Sequence, residues 1–451
     1  MADQQMTGRR EDDLAAARGL VDFISSSPSM FHTAATVCRR LEEAGFTYLP
    51  EGAAWTVQPG GSYYTQRNGS SVIAWRVGTE LPEDAYHFQI AASHADSPTF
   101  KVKAVAELEG PGEYLRLDIE PYGGTIDYSW FDRPLSLAGR VLTRDGSQVT
   151  SHLLSVDRDV ALIPSLAIHL DRGVNAAFSP DRAVDLYPLF SAGALRRGSF
   201  DAFVARDLGV DPSQLLARDL FLVNREPPRI WGAADEFISS PKLDDLMCAY
   251  CSLEAFLASS NERDISVYAC FDNEEVGSHT KQGAASTLLR DTLERINARI
   301  GRSPESLVRA LASSMLVSCD NAHAVHPNHP EKADEANDPR LNRGIVIKEA
   351  ANQHYCTDAF SRAVFSAVLD DAGVPHQTFA NRSDMAGGST LGNISNAHVS
   401  MHAIDVGCPQ LAMHSSYETA GARDVRLVID ALTAFFDADI RIDGAMGARI
   451  G

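Results

Sequence analysis

Histidines and carboxylates fall at the ends of apolar stretches all along this chain. His94 and Asp96 follow HFQIAAS (87–93), Asp272 to Glu275 follow ISVYACF (265–271), and Asp320 follows SMLVSC (314–319). His414 closes QLAMH (410–414), and Asp244 and Asp245 open a helical stretch. Imidazole nitrogen and carboxylate oxygen suit Zn2+, with Mn2+ or Co2+ also compatible. His94, Asp244, Glu275, Asp320 and His414 are too many ligands for one tetrahedral zinc with an open position. They suit two divalent cations about 3.5–4 Å apart that share one carboxylate. Asp96, two residues from His94, is placed to orient that imidazole. The pair Glu274-Glu275 is the sharpest local feature. Adjacent side chains on extended backbone point apart, so one carboxylate can bind metal while the other serves as general base.

Taken singly, each piece has a plainer reading. His94 alone is a core or surface histidine, Asp320-Asn321 a turn or helix cap, and Asp244 a helix N-cap stapled by Leu243. Only the set carries the argument. Other chemistries fail on the sequence. There is no HExxH. Ser239-Ser240-Pro241-Lys242 fits SxxK, but the proline spoils the helix such a nucleophile uses. GGSTLG (387–392) lacks the lysine of a P-loop and reads as a tight turn. Cys248 and Cys251 form an isolated CxxC within a helical pattern, so they read as buried thiols, like most of the seven cysteines.

Positioning these residues requires an α/β scaffold. Helical spacing covers 11–26 and about 31–43, and strand-like runs cover 71–76 and 87–93. From about 100 to 233 the texture changes to short β-rich pieces punctuated by Gly, Pro and Asp-Gly, with some helix near 200–208. Alternation then resumes: helix 243–258, strand 265–271, helix 287–300, strands 314–318 and 344–348, helix 357–372, strand 399–406 and helix 425–438. The fold class is therefore α/β, a mixed, mostly parallel sheet sandwiched by helices. The domains are a discontinuous catalytic unit, 1–99 plus 234–451, and an inserted smaller β-rich unit, 100–233. In an open sheet of this kind, strand ends converge on one crevice, where residues 94, 244, 275, 320 and 414 can meet. The polar loop 326–343 is long enough to be functional or mobile.

Composition bounds the partners. The chain has 451 residues, 44% hydrophobic and 22% charged, with 40 basic against 60 acidic residues and a net charge of −20. That excess argues against nucleic acid. No run approaches the roughly 20 apolar residues of a membrane span, and the polar start MADQQMTGRREDD has no apolar core behind it, so a cytoplasmic protein is expected.

Eight blocks carry a family resemblance: SPSMFH (27–32), SHADSP (93–98), IPSLAIHLDR (163–172), SPKLDDL (240–246), FDNEEVGS (271–278), SCDNAHAVHPN (318–328), NRSDMAGGSTLG (381–392) and QLAMHSSYE (410–418). In order and coverage they resemble the aspartyl aminopeptidase family of dinuclear zinc peptidases, the bacterial members above all. The resemblance implies His94, Asp320, Glu275 and His414 as zinc ligands, Asp244 as the bridge, Glu274 as the base and Asp96 as the residue that orients His94. It implies a tetrahedral homododecamer in which His169 reaches a neighbour's active site. It also implies a lysine, Lys348, that meets an acidic substrate side chain; mechanistically, His169 from a neighbour or His323 is expected to stabilise the oxyanion. MAGGST (385–390) departs from the pattern by lacking an expected cysteine. The function expected is a metal-dependent aminopeptidase acting on peptides, with acidic or neutral N-terminal residues. The alternatives are a dinuclear deacylase of N-acyl amino acids and a non-catalytic assembling shell, which would have no need of Glu274.

Overall fold

The computed structural model describes residues 2–82, 85–444 and 446–451. Its centre is a nine-stranded mixed sheet in the spatial order Thr47–Tyr48, Ser62–Arg67, Ser71–Val77, Ile265–Phe271, Phe88–His94, Met315–Cys319, His402–Gly407, Ile345–Glu349, His376–Ala380. The four middle strands, from Ile265–Phe271 to His402–Gly407, run parallel. Three of them, ISVYACF, FQIAASH and MLVSC, are buried along their whole length. That is why they read as continuous apolar runs rather than alternating ones: helices cover both faces.

One face packs the helices Ala2–Ser25, Met30–Glu43, Leu243–Ala258, Ala359–Asp371 and Ala422–Asp437. The other packs Leu288–Arg299, Pro304–Ala312 and Leu391–Asn396. Leu243–Ala258 is the most deeply set: Leu246, Met247, Leu253 and Phe256 are fully buried. Each such side chain contributes about 1.5–3 kcal/mol by leaving water, which anchors the helix whose first turn carries Asp244 and Asp245. The mixed α/β class expected from the sequence is the one found.

Residues 99–224 supply a second sheet, antiparallel and six-stranded, in the order Gln148–Ser155, Leu135–Asp145, Leu215–Asn224, Thr99–Glu109, Tyr114–Tyr122, Leu189–Ala192. It has its own apolar cluster, in which Phe200, Phe203 and Val204 of the helix Ser199–Leu208 pack against Leu137, Leu154 and Leu220. A third sheet of five short strands joins Arg229–Trp231, Phe237–Ser240, Glu418–Gly421, Pro409–Leu411 and Ala322–His323.

Several boundaries differ from the sequence reading. The helix Pro304–Ala312 was not foreseen, although Ser303 caps it by accepting from the Ser306 N–H and Pro304 opens it. GGSTLG is not a tight turn: 385–390 run irregularly into the helix starting at Leu391. The strand near 399–406 begins at His402. Among the described residues no helix is long and apolar enough to cross a membrane.

Candidate active site

The site forms where the parallel strands end. His94 is the last residue of its strand, Asp320 follows Met315–Cys319, and Glu274 and Glu275 open a single 3-10 turn just past Phe271. Asn273 at φ 63° makes that sharp entry; asparagine tolerates the left-handed region better than most residues. Asp244 sits at the head of its helix with non-helical φ −82° and ψ 109°, and its peptide bond to Asp245 is cis. His414 stands in the loop between Pro409–Leu411 and Glu418–Gly421.

The five candidate ligands His94, Asp244, Glu275, Asp320 and His414 meet. His94 Nδ1 lies 3.1 Å from the Asp96 main-chain oxygen and 3.4 Å from Asp96 Oδ1. Its Nε2 therefore faces the cluster, 3.5 Å from Asp244 Oδ1, 3.9 Å from Asp320 Oδ1 and 4.0 Å from Asp245 Oδ2. His414 Nδ1 is 2.7 Å from the Gly124 oxygen, leaving Nε2 3.5 Å from both Asp244 Oδ2 and Glu275 Oε2. Metal-binding histidines are held in this way, one nitrogen engaged and the other presented. Asp244 directs one oxygen to each imidazole. Candidate ligand atoms of His94, Glu274 and Glu275 also lie within 4.8 Å of one another.

Asp96 organises more than His94. Its oxygens accept the main-chain N–H of Glu274 and of Glu275, each at 3.1 Å, and the Tyr122 hydroxyl at 2.8 Å. Three further residues support the site: Tyr122 and Glu418 have no role in the sequence reading, and Asp245 appears there only beside Asp244 at the helix start. Asp245 accepts the His94 N–H at 3.1 Å. Tyr122 arrives from the second sheet. Glu418 accepts the main-chain N–H of Asp244 at 3.0 Å and of His414 at 2.7 Å. Asp245 and Glu418 were visible inside SPKLDDL and QLAMHSSYE, but nothing in their spacing showed which backbone groups they would meet.

Burial and like charge set the electrostatics. Burial raises Glu274 to about 8, with Asp320, Asp96 and Asp244 adding and His94 opposing. Burial likewise pushes Glu275 and Asp245 well above the usual carboxylate range. Asp244 is the exception: despite burial, hydrogen bonding to His414 and His94 holds it well below that range. Burial works against charge on His414, yet Asp244 and Glu275 lift it to about 10. The cluster thus retains protons unless another positive charge replaces them.

The donor set fits divalent cations. Two imidazole nitrogens and several carboxylate oxygens converge; Asp245 Oδ1 is buried without a hydrogen-bond partner, and Asp244 Oδ1 has only the His94 imidazole, 3.5 Å away. A cation would satisfy such oxygens, which are otherwise costly to bury.

Lys348 and His323 line the same cleft, a cavity of about 200 Å³, together with Tyr355, Ser389, Thr390 and Met413. Lys348 is no solvated strand-end lysine. It is 2% exposed, and its Nζ donates to the Asp320 and Asn321 main-chain oxygens at 2.8 and 3.3 Å and lies 3.8 Å from Asp320 Oδ2. Burial opposes its charge, but Asp320 overcomes it and lifts the ammonium above its ordinary range. His169 lies outside the cleft lining, in an exposed turn at 168–170 rather than in a strand.

A helix-covered mixed sheet that gathers histidines and carboxylates at its strand ends defines a candidate divalent-metal site. The comparisons narrow this. The family model for aminopeptidase I zinc metalloprotease (M18) matches residues 23–436. A relative described as "Probable M18 family aminopeptidase 2" from Clostridium novyi (strain NT) is 42% identical over 418 residues, 90% of this chain and 95% of that protein. The solved Ape4 and Nbr1 complex contains a chain with TM-score 0.91 and 34% identity, covering 94% of this chain and 86% of its own. The S. cerevesiae mApe1 dodecamer gives TM-score 0.83 at 28% identity, covering 93% of this chain and 96% of its own. The chain belongs to the M18 family and is a zinc metalloaminopeptidase, a peptide hydrolase.

Proposed function

We propose that the chain removes N-terminal residues from peptides with two divalent cations, zinc foremost, held on either side of Asp244. His94 and Asp320 would hold one, Glu275 and His414 the other, with Asp244 bridging. The observation that carries this is the division of Asp244 between the two imidazoles, Oδ1 to His94 and Oδ2 to His414, each at 3.5 Å. When bound, such cations lower the pKa of water and polarise the scissile carbonyl.

The remaining work falls to the chain. Glu274, held by its main chain on Asp96, takes the proton of the attacking water and delivers it to the departing amine. Asp96 keeps His94 in the tautomer that presents Nε2. One cation and a carboxylate of the cluster would hold the free α-amine of the substrate, which would confine cleavage to the N-terminus. Lys348 at the back of the cleft supports a preference for acidic first residues, with neutral ones also accepted. His323 supplies a donor to the developing oxyanion.

Residues 100–233 form the inserted assembly domain in this reading. The solved mApe1 relative is a dodecamer, and by analogy this chain would self-associate as a homododecamer of tetrahedral symmetry. His169 in its exposed turn would then enter a neighbouring subunit's site.

The test is release of p-nitroaniline from Asp, Glu, Leu, Lys and Ala p-nitroanilides, with and without chelator. Chelator-sensitive hydrolysis, fastest on Asp or Glu, is expected. Absence of hydrolysis on the whole panel would overturn the peptidase reading in favour of deacylation or assembly alone.

A further inference from the structure

Beyond the metal cluster, the cleft lining includes two segments separated in the chain by the helix Ala359–Asp371 and the strand His376–Ala380. One carries Tyr355, the other Gly388, Ser389 and Thr390. Neither lies within a strand or α-helix, so something else must fix them. Both converge on one side chain. Asp405 is fully buried in the middle of His402–Gly407. Its Oδ2 accepts the Cys356 N–H at 2.5 Å and its Oδ1 accepts the Thr390 hydroxyl at 2.5 Å. Its own N–H donates to Thr357 Oγ1 at 2.9 Å. One carboxylate thus holds a wall segment with each oxygen.

Two further features belong to the same arrangement. Lys348 is the direct cross-strand partner of Asp405, so the two side chains share a face of the sheet. The Lys348 ammonium stands 5.1 Å from the centre of the Tyr355 ring, which Asp405 anchors through the next residue. On the other side, a Cβ at Gly392 would lie 2.9 Å from Asp405 Oδ1 and 2.7 Å from Ser318 Cβ. Glycine there lets the helix Leu391–Asn396 start directly against the carboxylate. Charge-assisted hydrogen bonds of this kind are roughly twice as strong as neutral ones, and the one to Thr390 is buried.

We propose that Asp405 is the positioning residue for the part of the cleft that meets the substrate's first side chain. It ties the Tyr355 and Thr390 walls to the strand beside Lys348 and so sets the width and charge placement of that pocket. Among the described residues no hydrogen bond joins Asp405 to a candidate ligand, although its charge acts on Asp320. This rests on the aminopeptidase reading of the cleft.

The test compares Asp405→Asn, Thr390→Val and Thr390→Ser in the metal-loaded full chain. Metal content and steady-state kinetics on Asp, Glu, Leu and Ala p-nitroanilides are measured. Asn keeps the shape of Asp405 but turns an N–H donor toward one of its partners. Asp405→Asn should raise KM for the preferred substrate about tenfold or more with a smaller change in kcat, a loss of binding rather than of chemistry. The ranking among first residues should flatten while metal content holds. Thr390→Val, which removes a single contact, should show the same pattern more weakly, and Thr390→Ser should restore the parent values. If Thr390→Val leaves KM and ranking unchanged, the proposal is wrong, whether or not Asp405→Asn folds. Joint loss of metal and activity in Asp405→Asn would assign that residue to the metal cluster instead and also overturn it. Failure of the aminopeptidase reading is a distinct result: the parent chain itself would hydrolyse none of the panel.

Discussion

The buried carboxylate of Glu418 holds Asp244 by its main-chain N–H at 3.0 Å, and with its other oxygen holds the N–H of His414 at 2.7 Å. The bridging candidate and one imidazole, 170 residues apart in sequence, are thereby locked to each other before any ion enters.

Glu418→Gln should therefore weaken metal binding without touching a ligand. Amide nitrogen cannot accept from an N–H, so one of the two tethers is lost. Supporting groups of this kind typically change metal affinity or activity by about 10- to 100-fold. Titration of the chelated protein with zinc should show that drop, and excess zinc should restore most of the activity. Unchanged affinity would make Glu418 a purely structural acid.

Glu274→Gln separates base from ligand. Turnover should fall by about 10²–10⁴-fold, the range for losing a general base, while metal content measured by atomic emission stays at the parent value. If metal content falls in step with activity, Glu274 is a ligand.

Lys348→Gln tests recognition of acidic residues. Its kcat/KM on N-terminal Asp or Glu should fall about tenfold more than on Leu, a difference of about 1.4 kcal/mol. Equal losses on all three would mean that Lys348 only supports the Asp320 and Asn321 main chain.

His32, outside the cleft lining, carries a pH dependence of its own. Burial, aided by Lys242, depresses its imidazole to about 4 from its ordinary 6.5. Between those values the unfolded chain binds a proton that the folded chain resists. Stability from this group is thus complete above 6.5 and is lost as pH falls toward 4. Replacing His32 with Gln should narrow the fall in Tm between about pH 7 and pH 5, which cancels losses common to both proteins. An identical fall in both would mean that His32 does not resist protonation.

By itself, the sequence determined the α/β class, the order of the central strands and helices, and where ligand-type residues cluster. Each of those signals is local. A fully buried strand needs a continuous apolar run, and strand ends in a parallel sheet are where polar groups can reach solvent. His94, Glu274, Glu275 and Asp320 were legible because each lies within four residues of such a run. The signal for the helix Pro304–Ala312 is equally local, in its Ser303 cap and Pro304. The tertiary structure alone decided what depends on long-range approach. It set which nitrogen of each imidazole faces inward, how Asp244 divides its oxygens, and the tethering by Asp96, Glu418 and Asp405. It also showed that Lys348 is buried rather than solvated. Hydrogen bonds of this kind join positions up to hundreds of residues apart, and their geometry is fixed only when the sheet brings the strands together. No pattern of residue types along the chain encodes that.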